Sequence, residues 1–402
     1  MKSAIVGVLF CSSLLWAGAR EKPPETLAIT NVNIVDTRQP AIHPNATVII
    51  KDGKIVALVK IAVLDPGPHV RIINGGGKYL IPGLWDMNVH LSGPAATAWD
   101  SKTLLTLFLA NGVIGIRDLH GTEIRASGLR PEVIRGAGHP ASGNARTLED
   151  LNEVMLNCSS REEEFRSNDA HSLDDPEIVA RQIRQSYDQH KAWDYFVDLS
   201  NQATWMVPGL VSVNPSTDSA EPMQLQFLPS SLVVSDSDED EPEFQMEKKQ
   251  EAARDLLLVH DMHRAGVQFL AGTNAPGINL VPGFSLHREL ELLVRSGFSP
   301  FEALQTATFN PALYMAKLDR YGVVETGRAA DLVLLDDNPL ADIRNLDKIA
   351  AVVLHGEYLS RQQLERMLIR EHPLRTAKQP ATPQMPINSA IQHPAARHPF
   401  GQ

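Results

Sequence analysis

Pro82-Gly83-Leu84-Trp85-Asp86-Met87-Asn88-Val89-His90 is the stretch that decides the fold. Leu84 to His90 reads as a strand. Residues two apart on a strand share a face, so Asn88 and His90 point the same way, with Asp86 beside them. A second stretch, Leu270-Ala271-Gly272-Thr273-Asn274-Ala275, ends the strand expected over 266–273.

Between these segments the chain alternates. A helical pattern over 101–111 leads to a second strand over 112–119, and 131–136 reads as a third. Helical spacing covers 176–203. Residues 205–213 and 228–234 read as strands or extended loops. Helices are expected over 248–265, 284–296 and 300–308, the last stopped by Asn310-Pro311. Upstream, 27–36, 46–50, 54–59 and 70–73 alternate as strands do, and Asp52-Gly53 marks a hairpin. Downstream, 322–324, 330–335 and 349–354 are further strands.

The bulk composition sets outer limits. The chain has 402 residues, 43% hydrophobic and 21% charged, ordinary for a globular protein of one large or two moderate domains. Its net charge of -11 argues against nucleic acid or an anionic membrane surface as partner. Residues 1–19 read as a secretory leader: Lys2, an apolar run to Trp16, then Ala17-Gly18-Ala19. The expected location is therefore exported, periplasmic or extracellular. No apolar run reaches membrane-spanning length. With the leader removed only Cys158 remains, so no internal disulfide is expected. Residues 371–402, rich in Pro, Ala, Gln and His, read as a disordered tail. The acidic run 235–241 places Asp236, Asp238, Asp240 and Glu247 at calcium-loop spacing, but Glu241 stands where a Gly is required.

Four blocks resemble the amidohydrolase superfamily, near imidazolonepropionases and Xaa-Pro dipeptidase-like proteins: "PGLWDMNVHL", "NGVIGIRDLHG", "MHRAGVQFLAGTNA" and "FEALQTATFNPALYM". The resemblance covers about residues 27–370. It implies an α/β fold: a TIM-like (β/α) barrel over 82–321, flanked by a β-sandwich built from 27–81 and 322–362. It also implies metal-dependent hydrolysis of carbon–nitrogen bonds, in non-peptide or dipeptide-like small molecules. A divalent metal, zinc for preference, would be held at the strand ends and would turn water into a nucleophile.

The family's ligand motifs are altered here. The first strand of the family reads His-x-His, where this chain has Asn88 and His90. The last reads Gly-Thr-Asp, where this chain has Asn274. An amide has no useful basicity, so Asn274 cannot replace the Asp as proton acceptor. His139 resembles a remnant of the strand-five His. Asp150 stands in the place of the strand-six His. On this alignment strands four and five are largely missing and the barrel is shortened. Asp86 is placed to orient His90, and His287 to contact substrate. Asp118 reads as an ion-pair partner or loop cap. Two readings stay open: a hydrolase with a reduced site using His90, His139 and Asp150, or a catalytically silent relative with a binding or structural role. Neither substrate nor oligomeric state is set by the sequence.

Overall fold

The computed structural model describes residues 26–60, 69–92, 94–119, 130–135, 146–167, 176–213, 224, 226–233 and 242–371. The leader 1–19, His120, His139, the acidic run 235–241 and the tail from 372 lie outside the described residues.

Strands β1 (Thr26–Asp36), β2 (Ala41–Lys51), β3 (Lys54–Val59), β4 (Val70–Asn74) and β5 (Tyr79–Pro82) come first. Asp52 (φ 51°) and Gly53 (φ 72°) both turn left-handed between β2 and β3, as a two-residue hairpin requires. Strands β6 (Leu84–Val89), β7 (Val113–Asp118), β8 (Glu132–Arg135), β9 (Thr147–Leu148), β10 (Trp205–Met206) and β11 (Gln268–Phe269) follow. The last are β12 (Leu332–Leu335), β13 (Ile349–Leu354) and β14 (Glu357–Ser360).

Both ends of the described chain build one sheet. Its order is β14-β13-β12-β5-β1-β2-β3, with β4 also paired to β1. β5 is the seam: it runs parallel to β1 and antiparallel to β12. Leu27, Ile29, Val32, Val48 and Ile50 share one apolar core with Leu332, Leu334 and Val353. The strand expected over 322–324 does not form. Gly322 is left-handed (φ 84°), and its carbonyl accepts the Thr37 hydroxyl instead of a ladder N–H.

The middle of the chain holds two three-stranded parallel sheets, β6-β7-β8 and β9-β10-β11. They meet between β6 and the residues after β11. Met87 N–H donates to Ala271 O (2.8 Å), Asn274 N–H to Asn88 O (2.8 Å) and His90 N–H to Ala275 O (3.0 Å). Among the described residues six parallel strands thus follow one another in the order β8-β7-β6-β11-β10-β9, the two sheets joined through residues 271–275. All six residues of β6 and of β7 are buried, because sheet neighbours and helices cover both faces. The principal core includes Trp85, Met87, Phe108, Ile116, Met206, Leu270 and Leu290.

Arg117 ties β7 to the far edge of the arc at β9. It is 3% exposed and extends from β7. Its Nε donates to Met87 O (2.7 Å), Nη1 to the Tyr314 hydroxyl (3.2 Å) and Nη2 to Glu149 just past β9 (2.7 Å). Asp118 does not pair with this cation; its Oδ1 accepts the Leu91 N–H (3.2 Å) and caps the loop after β6.

The expected helices form as Ser101–Ala110, Pro242–Arg264, Phe284–Arg295 and Pro300–Thr306. The 176–203 pattern divides into Pro176–Gln185 and Gln189–Asn201, where Asp188 caps the second helix through the His190 and Lys191 N–H groups. Two extended readings are corrected. Strand β10 stops at Met206 and gives way to the helical turn Leu210–Val213, and Ser230–Leu232 is a 3-10 turn.

Candidate functional site

A buried polar cluster lies where β6 and the residues after β11 leave their sheets. Asp86, Asn88 and His90 come from β6 and its end. Thr273 and Asn274 come from the last parallel segment, Ser212 from the turn after β10, and Glu289 from the helix Phe284–Arg295. The backbones pass so closely that only glycine fits at 272: a Cβ there would sit 2.5 Å from Val207 Cγ1 and 2.6 Å from Asn88 Cβ. Asn274 is left-handed (φ 59°), a conformation that Asn adopts more readily than most residues.

Asp86 does not orient His90. Its Oδ2 accepts the Thr273 hydroxyl (2.6 Å), and its Oδ1 accepts the N–H of Thr273 (3.1 Å) and of Asn88 (3.3 Å). It therefore pins the last strand to the first. Burial pushes its carboxyl up to about 7, against the lowering effect of these bonds and of Arg117. Glu289 is fully buried too, and burial raises its carboxyl to about 8 although backbone N–H groups of Val211, Leu210 and Gly209 oppose the rise.

The ring of His90 is held by a chain of fixed polarity. The Ser212 hydroxyl donates to Gly209 O (2.7 Å), so its oxygen is left to accept, and Asn274 Nδ2 donates to it (2.7 Å). The amide is thereby oriented with Oδ1 toward His90 Nε2, 3.0 Å away. An amide oxygen only accepts, so Nε2 carries hydrogen. Nε2 therefore has no lone pair for a metal, and any ligation by this ring would fall to Nδ1.

The donor set does not fit the metal that the resemblance implies. Among the described residues no three His, Cys, Asp or Glu side chains converge to hold one. Asn88 offers a neutral oxygen, a poor replacement for imidazole on zinc. It is 1% exposed, and its Oδ1 has no hydrogen-bond partner among the described residues. Asp150 is exposed and caps the helix Leu151–Asn157, accepting the Asn152 N–H (2.8 Å). His287 is not open to substrate: it is 5% exposed, with Nδ1 2.6 Å from Asp347 and Nε2 2.9 Å from Asn111 O. His260 meets Ser296 O, and His263 stacks on Phe298. Glu247 pairs with Arg181. Cys158 is buried and its thiol is pushed up to about 12, which makes it inert as a nucleophile.

The profile of the amidohydrolase family matches residues 205–359. That segment is similar to the amidohydrolase family. It is 22% identical to the adenine deaminase of Oleidesulfovibrio alaskensis over 349 residues, 80% of this chain and 57% of that protein. The adenine deaminase of Desulforamulus reducens is 24% identical over 345 residues, 79% of this chain and 56% of its own. The chain thus spans a little over half the length of those relatives. A prolidase-type crystal structure from Bifidobacterium longum aligns at a TM-score of 0.55 and 21% identity, over 87% of this chain and 99% of that one.

Sequence reasoning missed Glu289, Ser212 and Thr273. Glu289 had a signal: helical spacing sets it on the face of Leu286, Leu290 and Leu293, a core position where a carboxyl is out of place. Ser212 had none, since it acts only through a turn.

Proposed function

We propose that this chain is a small-molecule hydrolase of the carbon–nitrogen class, with its site at the Asp86–Asn88–His90–Asn274 cluster. One observation carries the reading: polar side chains from the first and last parallel strands converge at the strand ends, where barrel enzymes build their sites. The reaction class is taken from the adenine deaminases, since deamination of adenine breaks a carbon–nitrogen bond. The base itself is not carried over.

The barrel we adopt has six strands instead of eight. What supports this is chain length: only residues 136–145 separate β8 from Arg146, whereas two strand–helix units need roughly 30 residues each.

Asp86 titrates near neutrality, where proton transfer is most effective, but its oxygens are committed to Thr273 and Asn88, so it orders the strand end. His90 presents a hydrogen at Nε2 and is the one imidazole of the described cluster. That protonated nitrogen favours a second reading, in which the chain binds a small molecule at this face without turning it over.

The test combines elemental mass spectrometry on chelator-free full-length protein with mass-spectrometric detection of hydrolysis products from adenine, cyclic ureides and Xaa-Pro dipeptides. Turnover that is lost in His90→Ala supports the hydrolase. Thermal stabilisation by one of these compounds without turnover, lost in the same variant, supports the binding protein. Neither effect with any compound sinks both. Stoichiometric zinc that disappears with His90 would overturn the reading that this donor set does not fit a metal.

A further inference from the structure

We infer that Glu289 is the positioning residue that fixes the ring of His90, acting through the turn at 209–212 and through Asn274. The inference deepens the functional reading above, because it concerns the one imidazole of that site. It stands on geometry that does not depend on turnover.

Glu289 occupies a core slot on its helix and is 0% exposed. Among the described residues no Lys or Arg pairs with it, and the charged neighbour that acts on it most is Asp86, another acid. A carboxyl in such a place is held by what it grips. Oε2 accepts the Val211 N–H (2.8 Å), while Oε1 has no hydrogen-bond partner among the described residues; the backbone N–H groups of Leu210 and Gly209 lie near enough to lower the carboxyl's pKa. The turn is thus anchored from beneath by one side chain through the Val211 N–H.

The same turn carries the next link. Gly209 O takes the Ser212 hydroxyl, Ser212 Oγ takes Asn274 Nδ2, and Asn274 Oδ1 takes His90 Nε2–H. Packing is close along this path: a Cβ on Gly209 would lie 3.0 Å from Asn274 Nδ2 and 3.1 Å from Ser212 Oγ. The direction of every bond is set by the first. If the turn loses its anchor, Ser212 can rotate, the amide can flip, and His90 is released to its other tautomer.

The experiment uses the full-length chain with 15N-labelled imidazoles, reading histidine tautomers by long-range 1H–15N correlation. The His90 signals are identified by their loss in His90→Gln. The wild type should show the Nε2–H tautomer at His90. Glu289→Gln keeps an acceptor for Val211 and should preserve that pattern. Glu289→Leu removes it and should give a mixture of tautomers. If Glu289→Leu does not fold, Ser212→Ala cuts the path without emptying the core slot and should give the same mixture. The inference is overturned by an Nδ1–H tautomer in the wild type, or by an unchanged His90 in folded Glu289→Leu or in Ser212→Ala. A Glu289→Gln protein as perturbed as Glu289→Leu overturns it too. Absence of hydrolysis would count against the functional reading alone, since the tautomer readout needs no substrate.

Discussion

Replacing Glu289 with Gln should change how stability depends on pH. The folded carboxyl titrates at about 8, against an ordinary value of 4.5. A raised carboxyl is protonated in the folded state and ionised in the unfolded state between those two values. Its contribution is therefore fully present below 4.5 and is lost as pH rises through 8. At about 1.4 kcal/mol per pH unit, the full difference is about 5 kcal/mol. Gln is close in shape and never ionises, so Glu289→Gln should lack this loss. Urea denaturation of both proteins at intervals from pH 4.5 to 9 checks it. The wild type should fall relative to the variant across that range, by at most about 1.4 kcal/mol per pH unit. Taking the difference between the two proteins removes most of the influence of Asp86 and of Asp255, which titrates at about 6. Parallel curves across the whole range would refute the claim that Glu289 is buried as an acid.

Arg117→Met removes a buried guanidinium that holds β7, β6 and the end of β9 together, and should cost roughly 2–4 kcal/mol in urea unfolding; an unchanged midpoint contradicts the tie. Gly272→Ala places a Cβ 2.8 Å from the backbone nitrogen of Asn88, and should destabilise by about 3 kcal/mol, at the upper end for overpacking; a melting temperature equal to wild type would show that the strands part easily. Cys158 should resist a maleimide in native buffer and label fully in denaturant, as followed by mass spectrometry of its peptide. Native labelling at an ordinary thiol rate would mean that its surroundings open.

Strands β1 to β4, β12 and β13 of the outer sheet and the first two of the parallel arc were legible because alternation and dense apolar runs are local signals, whereas the four-residue strands β5 and β14 were too short to be read. Leu84–Val89 and Val113–Asp118 form within a residue of their expected ends. The last parallel segment was legible in place but not in extent. Only Gln268–Phe269 joins a regular ladder, because the following residues bond irregularly to β6. Val323 and Val324 read as a strand since they are apolar, yet they are buried in a loop that Gly322 turns aside. At the site, Asn88, His90 and Asn274 could be picked out by strand phase and motif. Their bonding could not. Asp86 turned to Thr273 because the two strand ends approach within hydrogen-bonding reach, a fact fixed by tertiary packing. Ser212 and Asn274 are 62 positions apart, so nothing local announces the relay.

The seam at β5 governs when this protein can become itself during synthesis. Pro82 pairs with Leu332 and Tyr79 with Leu335, while β12 in turn needs β13. Ribosomes add ~5–20 residues per second, so β5 waits on the order of tens of seconds for its neighbour. Meanwhile Leu80 and Ile81, completely buried at the end, stand on an open edge. Long-range pairing of this kind folds slowly and exposes the chain to wrong partners. A cut or frameshift before residue 349 would therefore leave more than a missing terminus: it would strand the apolar edge laid down first, and chaperones or proteases would meet that edge before any substrate did.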